Sequence, residues 1–209
     1  YTSKPTALFS NTQIENPNLM LEGMPNYRSG VDGLRVSNST KGGITFAAST
    51  TQNGIHMITV VLGVEAVDGD PYARFVATSS LMNYVVRTFV SSIVVKEGDP
   101  YGKSKATIMD GKSETVLAVA KKDFYIVEKQ GSQAEPKIQF KSDQESFRAP
   151  VKSGTNLGKI HYTDPDKIGR GYLEDQEPTV DMVAGRTIEK SFFLKVWWNE
   201  FVRYVNEKL

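Results

Sequence analysis

Apolar and polar residues alternate along the first third of the chain in a pattern that predicts an antiparallel sheet. The three predicted strands are residues 31–37, 44–50 and 56–64. Asn53-Gly54 separates the second strand from the third, and this dipeptide accepts positive φ at low cost, so it predicts a tight hairpin. The third strand is so rich in β-branched residues that we expect it to be buried on both faces.

Helical spacing begins shortly after the third predicted strand. Asp70 has a residue type favoured at a helix N-cap, Pro71 suits the first helical position, and apolar residues then recur at helical spacing to about Phe89. We expect this helix to cover one face of the sheet. Residues 1–29 are rich in Asn, Gly and Pro and are predicted to be irregular, with Leu19-Met20-Leu21 forming a short helical turn or a core plug.

Short apolar alternations recur beyond residue 90, between clusters of Gly, Asp, Pro and Lys, and predict a small all-β sandwich. The predicted strands are residues 90–95, 105–109, 114–120, 124–128, 137–140, 146–151 and 159–162. From Gly185 onwards the pattern becomes helical. We therefore predict an α+β fold, mostly β, with domain boundaries at residues 1–90, 91–183 and 184–209.

The predicted C-terminal helix is amphipathic and carries both tryptophans of the chain. At about 100° per residue, one face gathers Phe193, Leu194, Trp197, Trp198, Phe201, Tyr204 and Val205. Trp and Tyr favour the interfacial layer of a membrane, so one interpretation is a membrane-attachment helix. The other is a terminal helix packed on its own domain or on a partner. The opposite face carries both charge signs, so membrane attachment would depend on apolar burial more than on anionic lipid.

Composition narrows the chemistry. With 25 basic and 24 acidic residues in 209, the formal charge is +1, which gives no strong field for nucleic acid. There are no cysteines and only two histidines, His56 and His161, so we expect neither a metal site nor a cofactor. Asp164 and Asp166 flank a proline and are predicted to form a turn rather than a cation site. No apolar run reaches the ~20 residues of a membrane span.

Several segments resemble the low-molecular-weight penicillin-binding proteins, which are D-alanyl-D-alanine carboxypeptidases of the serine β-lactamase-like superfamily. The similarity lies in Gly30-Val31-Asp32-Gly33-Leu34, in Asn53-Gly54 and in residues 58–63. Residues 16–25 are similar to the segment before that strand in streptococcal-type members, and residues 73–84 to the helix that closes the catalytic domain. The resemblance implies a partial β-lactamase/transpeptidase-like sheet plus helix, a small β-sandwich domain and a C-terminal membrane-attachment helix.

The family's chemistry uses three motifs, S-x-x-K, S-x-N and K-T-G. The first two do not occur in these 209 residues, and Arg35-Val36-Ser37 occupies the position of K-T-G. Arg35 keeps the positive charge in a planar fork, Val36 lacks the hydroxyl that would bind a carboxylate, and Ser37 adds a side chain where glycine lets a substrate approach. The resemblance therefore implies a degraded substrate-binding strand at Arg35, Val36 and Ser37, and no catalytic residue within the chain.

Three hypotheses follow. The first is a truncated, non-catalytic homologue that acts in peptidoglycan metabolism, extracellular and peripherally attached to a Gram-positive cell membrane, with the peptidoglycan stem peptide as a partner. The second is the C-terminal portion of an active serine carboxypeptidase whose catalytic half lies outside this chain. The third is a β-rich cell-surface interaction protein. In the first, the sheet of residues 31–64 exposes an apolar face, which we expect residues 1–29, a second copy in a homodimer, or a missing N-terminal half to cover.

Overall fold

The computed structural model describes residues 2–65, 70, 72–133, 135–172 and 175–208, without the side chains of residues 200, 203 and 206–208. The chain divides into two compact units. One comprises residues 1–91 with 127–131, and the other comprises residues 92–126 with 132–209. The described residues form mostly strands, together with two helices, as the α+β, mostly β prediction expects.

The N-terminal residues contain a hairpin, so the prediction of an irregular segment over residues 1–29 is wrong for residues 6–15, whereas residues 16–29 contain turns and irregular backbone as predicted. Strands β1 (Thr6–Phe9) and β2 (Thr12–Glu15) pair antiparallel. The connecting residues Ser10 and Asn11 have φ of 45° and 64°, the left-handed geometry that suits a two-residue hairpin loop. Both strands are exposed along their whole length, so they lack the alternation of buried and exposed positions by which a strand is recognised.

A three-stranded antiparallel sheet forms the centre of the first unit, as the sequence predicts. Its strands are β3 (Val31–Ser39), β4 (Gly43–Gln52) and β5 (Ile55–Val64), in the order β3-β4-β5. Asn53 and Gly54 connect β4 to β5 with φ of 52° and 74°, which confirms the predicted hairpin. In the register, Val36 and Val61 both pair with Phe46, which places these three side chains on one face.

Helix α1 (Ala73–Thr88) packs on that face of the sheet. The Phe46 and Phe75 rings meet edge to face with their centroids 5.2 Å apart. Met82 completes the helix side of the contact, and Met20 and Leu21 are fully buried in the same cluster. The predicted core plug at residues 19–21 is therefore confirmed.

The N-terminus of α1 differs from the prediction. The helix begins at Ala73, and the residue at its N-cap position is Tyr72 rather than Asp70. Asp70 still contributes a local contact, because its Oδ1 accepts a hydrogen bond from the Tyr72 amide at 2.8 Å. The predicted role of Pro71 lies outside the described residues.

Strand β5 is buried on one face only, which contradicts the prediction of burial on both. Its even-numbered apolar residues Ile58, Val60 and Leu62 are 62%, 55% and 75% exposed. We call these three side chains the apolar stripe. The strand is at the edge of the sheet, α1 covers only the opposite face, and residues 2–29 do not cover the stripe. A run of β-branched residues thus reflected strand propensity rather than two-sided burial.

The second unit is built around a six-stranded sheet with the order β10-β12-β13-β8-β7-β11. The strands from β6 onwards are β6 (Phe89–Val95), β7 (Pro100–Met109), β8 (Thr115–Ala120), β9 (Phe124–Lys129), β10 (Lys137–Ser142), β11 (Phe147–Arg148), β12 (Asn156–Thr163) and β13 (Thr179–Ala184). Strands β6 and β9 form a separate two-stranded sheet. The unit has its own hydrophobic cluster, to which alternate residues of β7, β8, β12 and β13 contribute.

Two strands of this unit differ from the sequence prediction. Strand β13 was not predicted, although Val180, Met182 and Ala184 alternate with less buried positions. Strand β11 is shorter than the predicted strand over residues 146–151, because Pro150 has no backbone N–H to continue the ladder. The other predicted strands are present, with ends shifted by a few residues.

The C-terminal helix begins later than predicted. Helix α2 spans Phe193–Lys208, whereas the sequence pattern indicated a helix from Gly185. The intervening residues are extended, because Ile188 bridges to Val151 and Lys190 bridges to Gly111. Backbone pairing in the second unit therefore overrides the helical spacing of residues 185–190.

Val60 and Val61 are adjacent valines on opposite faces of β5, 55% and 8% exposed, and they test the one-sided burial. Val61→Ala removes two buried carbon atoms and is expected to lower the free energy of unfolding by about 2 kcal/mol. Val60→Ala is the matched control and, in a solution dilute enough that copies do not associate, should change it by about 0.5 kcal/mol or less. Urea unfolding of both variants measures the difference. Equal losses would contradict the one-sided burial of β5.

Candidate functional site

Arg35, Val36 and Ser37, which the sequence predicts to occupy the K-T-G position, lie on β3, an edge strand of the sheet in the first unit. Arg35 and Ser37 pair with Ala47 and Thr45 of β4 and are exposed. Val36 has the opposite orientation and packs against the hydrophobic cluster under α1. The strand therefore exposes the guanidinium of Arg35 and the hydroxyl of Ser37, while the side chain of Val36 packs against the core.

Arg74 of α1 holds the end of this strand. Its buried guanidinium donates from Nη1 to the carbonyl oxygens of Ser37 at 2.9 Å and Thr45 at 3.2 Å. One cation therefore satisfies two backbone acceptors on adjacent strands and links both to the helix. The sequence pattern did not single out Arg74, since an arginine on a helix is usually exposed.

The beginning of β3 is fixed from the N-terminal side. Asn18 is fully buried, and its Nδ2 donates to the Gly33 carbonyl oxygen at 3.2 Å while its Oδ1 accepts from the Met20 amide at 3.0 Å. A Cβ added at Gly33 would lie 2.9 Å from Oγ1 of Thr2, so glycine permits this close approach of the N-terminal segment. The course of the strand next to Arg35 is thus determined at both ends.

A second arginine, Arg28, ties the N-terminal segment to the helix and the sheet. Its Nη1 donates to Asn83 Oδ1 and its Nη2 to Gln52 Oε1, both at 2.9 Å. Partial burial lowers the pKa of the Arg28 guanidinium from its ordinary value. These contacts make Arg28 a structural residue of the first unit.

A serine and a histidine form a hydrogen bond on the sheet face that carries the apolar stripe. Ser49 Oγ lies 3.1 Å from Nε2 of His56. A serine nucleophile activated by histidine generally needs a third group that orients the imidazole. Among the hydrogen bonds found for the described residues, none joins His56 to a carboxylate. The pair therefore lacks the arrangement of a catalytic triad.

The predicted turn at Asp164 and Asp166 is confirmed. Asp164 Oδ1 accepts from the Asp166 amide at 2.8 Å, and its Oδ2 accepts from the Tyr172 hydroxyl at 3.2 Å. Burial raises the pKa of the Tyr172 phenol, and the negative charge of Asp164 adds to the effect. In the part of the chain that the structure describes, no group of three or more His, Asp or Glu side chains could hold a metal ion.

The apolar face of α2 is exposed. Phe193, Trp197 and Trp198 are 66%, 61% and 58% exposed, and Leu194, Phe201 and Tyr204 are similar. The rings contact one another, with the centroid of Phe201 6.0 Å from those of Trp197 and Trp198. The helix is therefore not packed on its own domain through this face, so the remaining interpretations are membrane attachment and packing on a partner. Neither described helix has the length and apolarity to cross a bilayer.

Comparison with known proteins shows which proteins this chain is similar to. Residues 89–190 match the family described as penicillin-binding protein 5, C-terminal domain. A peptidoglycan synthesis regulatory factor (PBP3) from Streptococcus pneumoniae has a solved structure that is 43% identical, with a TM-score of 0.84 over 90% of this chain and 51% of that chain. Penicillin-binding protein 5 from Haemophilus influenzae shares the fold at 21% identity, with a TM-score of 0.59 over 90% of this chain and 50% of that one.

A relative of assigned activity is also similar. The D-alanyl-D-alanine carboxypeptidase DacA of Haemophilus influenzae is 26% identical over 133 residues, which are 63% of this chain and 32% of that protein. The chain thus spans about half of the two solved structures and about a third of this carboxypeptidase.

The two-unit β-rich fold, the edge strand β3 and these matches define the class. The chain is similar to the C-terminal part of low-molecular-weight penicillin-binding proteins, and the K-T-G position predicted from the sequence falls at Arg35-Val36-Ser37. These similar proteins include a penicillin-binding protein and a D-alanyl-D-alanine carboxypeptidase, which confirms the resemblance inferred from the sequence.

The contact between Arg74 and β3 predicts a defined loss of stability. Arg74→Met retains apolar length but removes both donors, so the carbonyl groups of Ser37 and Thr45 lose their bonds. We expect the free energy of unfolding to fall by about 1 to 3 kcal/mol and amide exchange in β3 to accelerate. Arg87→Met is the control, because Arg87 is exposed and, among the described residues, its side chain donates only to the Asn83 carbonyl of its own helix. Equal effects in urea unfolding and hydrogen exchange would refute the proposed role of Arg74.

Proposed function

We propose that this chain is the non-catalytic C-terminal part of a penicillin-binding-protein homologue that contributes binding or scaffolding to peptidoglycan metabolism at the outer surface of the cell membrane. The observation that carries the proposal is the replacement of K-T-G by Arg35-Val36-Ser37 on edge strand β3. The 43% identity to a pneumococcal protein titled a peptidoglycan synthesis regulatory factor supports the cell-wall assignment.

The loss of chemistry follows from what each side chain offers a substrate. Val36 has no hydroxyl and packs in the core, so a substrate carboxylate loses one hydrogen-bond donor. An unmade bond to a charged group costs about 1.5 to 3 kcal/mol, which is roughly a tenfold to hundredfold loss. Ser37 narrows the approach that glycine leaves open, while exposed Arg35 retains a cation that would attract the carboxylate of a stem peptide.

The whole protein that carries this chain, purified from its own cells, should not form a covalent adduct with a fluorescent penicillin. The expected result is an unlabelled band after denaturing electrophoresis, because acylation requires a productively bound β-lactam. A triple variant, R35K/V36T/S37G, restores K-T-G and distinguishes the causes. Labelling of the triple variant alone would identify β3 as the reason for inactivity.

Stable labelling of the unaltered protein would overturn the proposal. It would favour the second hypothesis, in which this chain is the C-terminal part of an active serine carboxypeptidase. If neither the unaltered protein nor the triple variant is labelled, the cause of inactivity is not confined to the K-T-G position. The protein would still be assigned as non-catalytic.

Helix α2 is proposed to attach the protein to the membrane surface. Its aromatic face is exposed, with Trp197 and Trp198 next to Phe201, and such residues are satisfied where an apolar layer meets headgroups. Phe193, Leu194, Tyr204 and Val205 extend the face along the helix. The location would be extracellular and peripheral to the cell membrane, as in a Gram-positive cell.

Tryptophan emission offers a direct test, because both tryptophans of the chain lie in α2. Phosphatidylcholine liposomes should shift the emission to shorter wavelength as the rings leave water. Phe201→Ser keeps both reporters and should weaken partitioning about tenfold or more, since burial of a Phe side chain is worth about 1.5 to 3 kcal/mol.

Asn199→Ser on the opposite side of α2 is the matched control and should leave partitioning unchanged. Adding phosphatidylglycerol to the liposomes should change partitioning less than the Phe201→Ser substitution does. No blue shift with either liposome, or equal effects of the two substitutions, would remove the membrane claim.

The apolar stripe of β5 needs a cover in this proposal, because Ile58, Val60 and Leu62 form an exposed apolar edge. A second copy of the chain or an N-terminal half would supply it. Repeating the Val60→Ala unfolding measurement over a range of protein concentrations distinguishes a second copy from an N-terminal half. The loss in free energy of unfolding grows with concentration only if a second copy covers the stripe.

A further inference from the structure

A groove of about 490 Å³ lies on the outward face of the six-stranded sheet in the second unit. Strands β7 and β8 and the loop after β13 form it. Pro100 pairs with Val119, and Lys105 pairs with Leu117. Between these two pairs β7 advances by five residues, whereas β8 advances by two. The extra residues bulge away from β8, and the outward side chains of β8 are left uncovered.

The groove carries unpaired positive charge. Lys105 projects from β7 and Arg186 from the loop after β13, and both are exposed. For the described residues, neither has a side-chain hydrogen bond or ion pair, and no described lining residue is acidic. Ser113 and Thr115 also line the groove, and the Ser113 Oγ donates to the Thr115 carbonyl oxygen at 2.8 Å. The lining therefore complements an anion.

A second cavity of about 420 Å³ continues from the first, because Ser113 and Arg186 line both. Its lining adds Lys112, Thr187, Ile188 and the acidic Glu189. Because Lys112 and Arg186 outnumber this one carboxylate, the positive region extends beyond one point and fits a ligand with more than one anionic group.

The floor of the groove is apolar. Leu117 is 45% exposed there, with Val119 and Pro100 beside it. Gly185 keeps this floor open, since a Cβ at that position would lie 3.1 Å from Cγ1 of Val119. An exposed leucine next to two cations favours a ligand that combines carboxylates with an aliphatic group.

We infer that this groove binds an acidic peptide segment, with carboxylates at Lys105 and Arg186 and an aliphatic side chain on Leu117 and Val119. The guanidinium of Arg186 suits a carboxylate because its planar fork can donate two parallel hydrogen bonds. A phosphate polymer would pair with the cations but would leave the apolar floor exposed. A peptide with an aliphatic side chain can cover that floor, and we therefore favour a peptide. The inference is independent of the catalytic state of the protein.

The test uses the full chain and a fluorescein-labelled seven-residue peptide in which Glu and Leu alternate. Fluorescence anisotropy at about 0.15 M salt measures binding, because nonspecific surface attraction is largely screened there. Arg186→Glu should weaken binding ~10-fold or more, as a charge-assisted contact becomes a repulsive one. Lys141→Glu is the matched control with the same net charge, because exposed Lys141 lies on β10, three strands from β8.

A second variant tests the apolar floor. Leu117→Thr replaces the aliphatic side chain with a smaller β-branched one that suits a strand, and it should weaken binding of the Glu/Leu peptide but not of a Glu/Ser peptide. Equal weakening by Lys141→Glu, or equal binding of a Gln/Leu peptide, would overturn the proposal. It would also be overturned if polyphosphate bound and the Glu/Leu peptide did not, because the occupant would then be a phosphate polymer.

Discussion

One-sided burial of the β3-β4-β5 sheet is the constraint on which the first unit depends. Helix α1, with Phe75 and Met82, seals the face that carries Phe46. Three segments distant in sequence converge there, since Met20 and Leu21 also enter the cluster. On the opposite face, the side chains of Arg35 and the apolar stripe lie outside that core and are exposed. The same alternation that turns Val36, which is half-buried, toward the core exposes its neighbours Arg35 and Ser37.

The sequence predicted much of the fold, because several signals are local. Asn53-Gly54 fixes a hairpin by backbone geometry alone, and helical spacing identified α1. The failures have a common cause in tertiary context. Residues 185–190 have helical spacing but are extended, since Ile188 pairs with Val151, a residue far from it in sequence. No local pattern contains such a partner. The hairpin of β1 and β2 was missed for the opposite reason, because neither face of it is buried.

Strand β3 also combines features that the local sequence shows with features that depend on distant residues. The identity of Arg35-Val36-Ser37, and its contrast with K-T-G, is visible in the sequence. The residues that hold the strand in place were not predicted as a set, because Arg74, Asn18 and Thr2 reach it from three separate segments. The groove beside Lys105 also depends on a bulge in β7 and on a loop about 80 residues later, so only the folded sheet reveals it.

The position of both tryptophans in α2 has a consequence for how folding of this protein is observed. The cores of the two units contain Phe and Tyr but no tryptophan, as Phe46, Phe75, Phe124 and Tyr162 illustrate. Intrinsic indole fluorescence therefore follows the fate of an exposed terminal helix, while the sheets melt without an indole signal. Circular dichroism of the strands and tyrosine absorbance are the probes that follow the cooperative cores. A melting curve from 295 nm excitation would describe the helix rather than the stability of either unit.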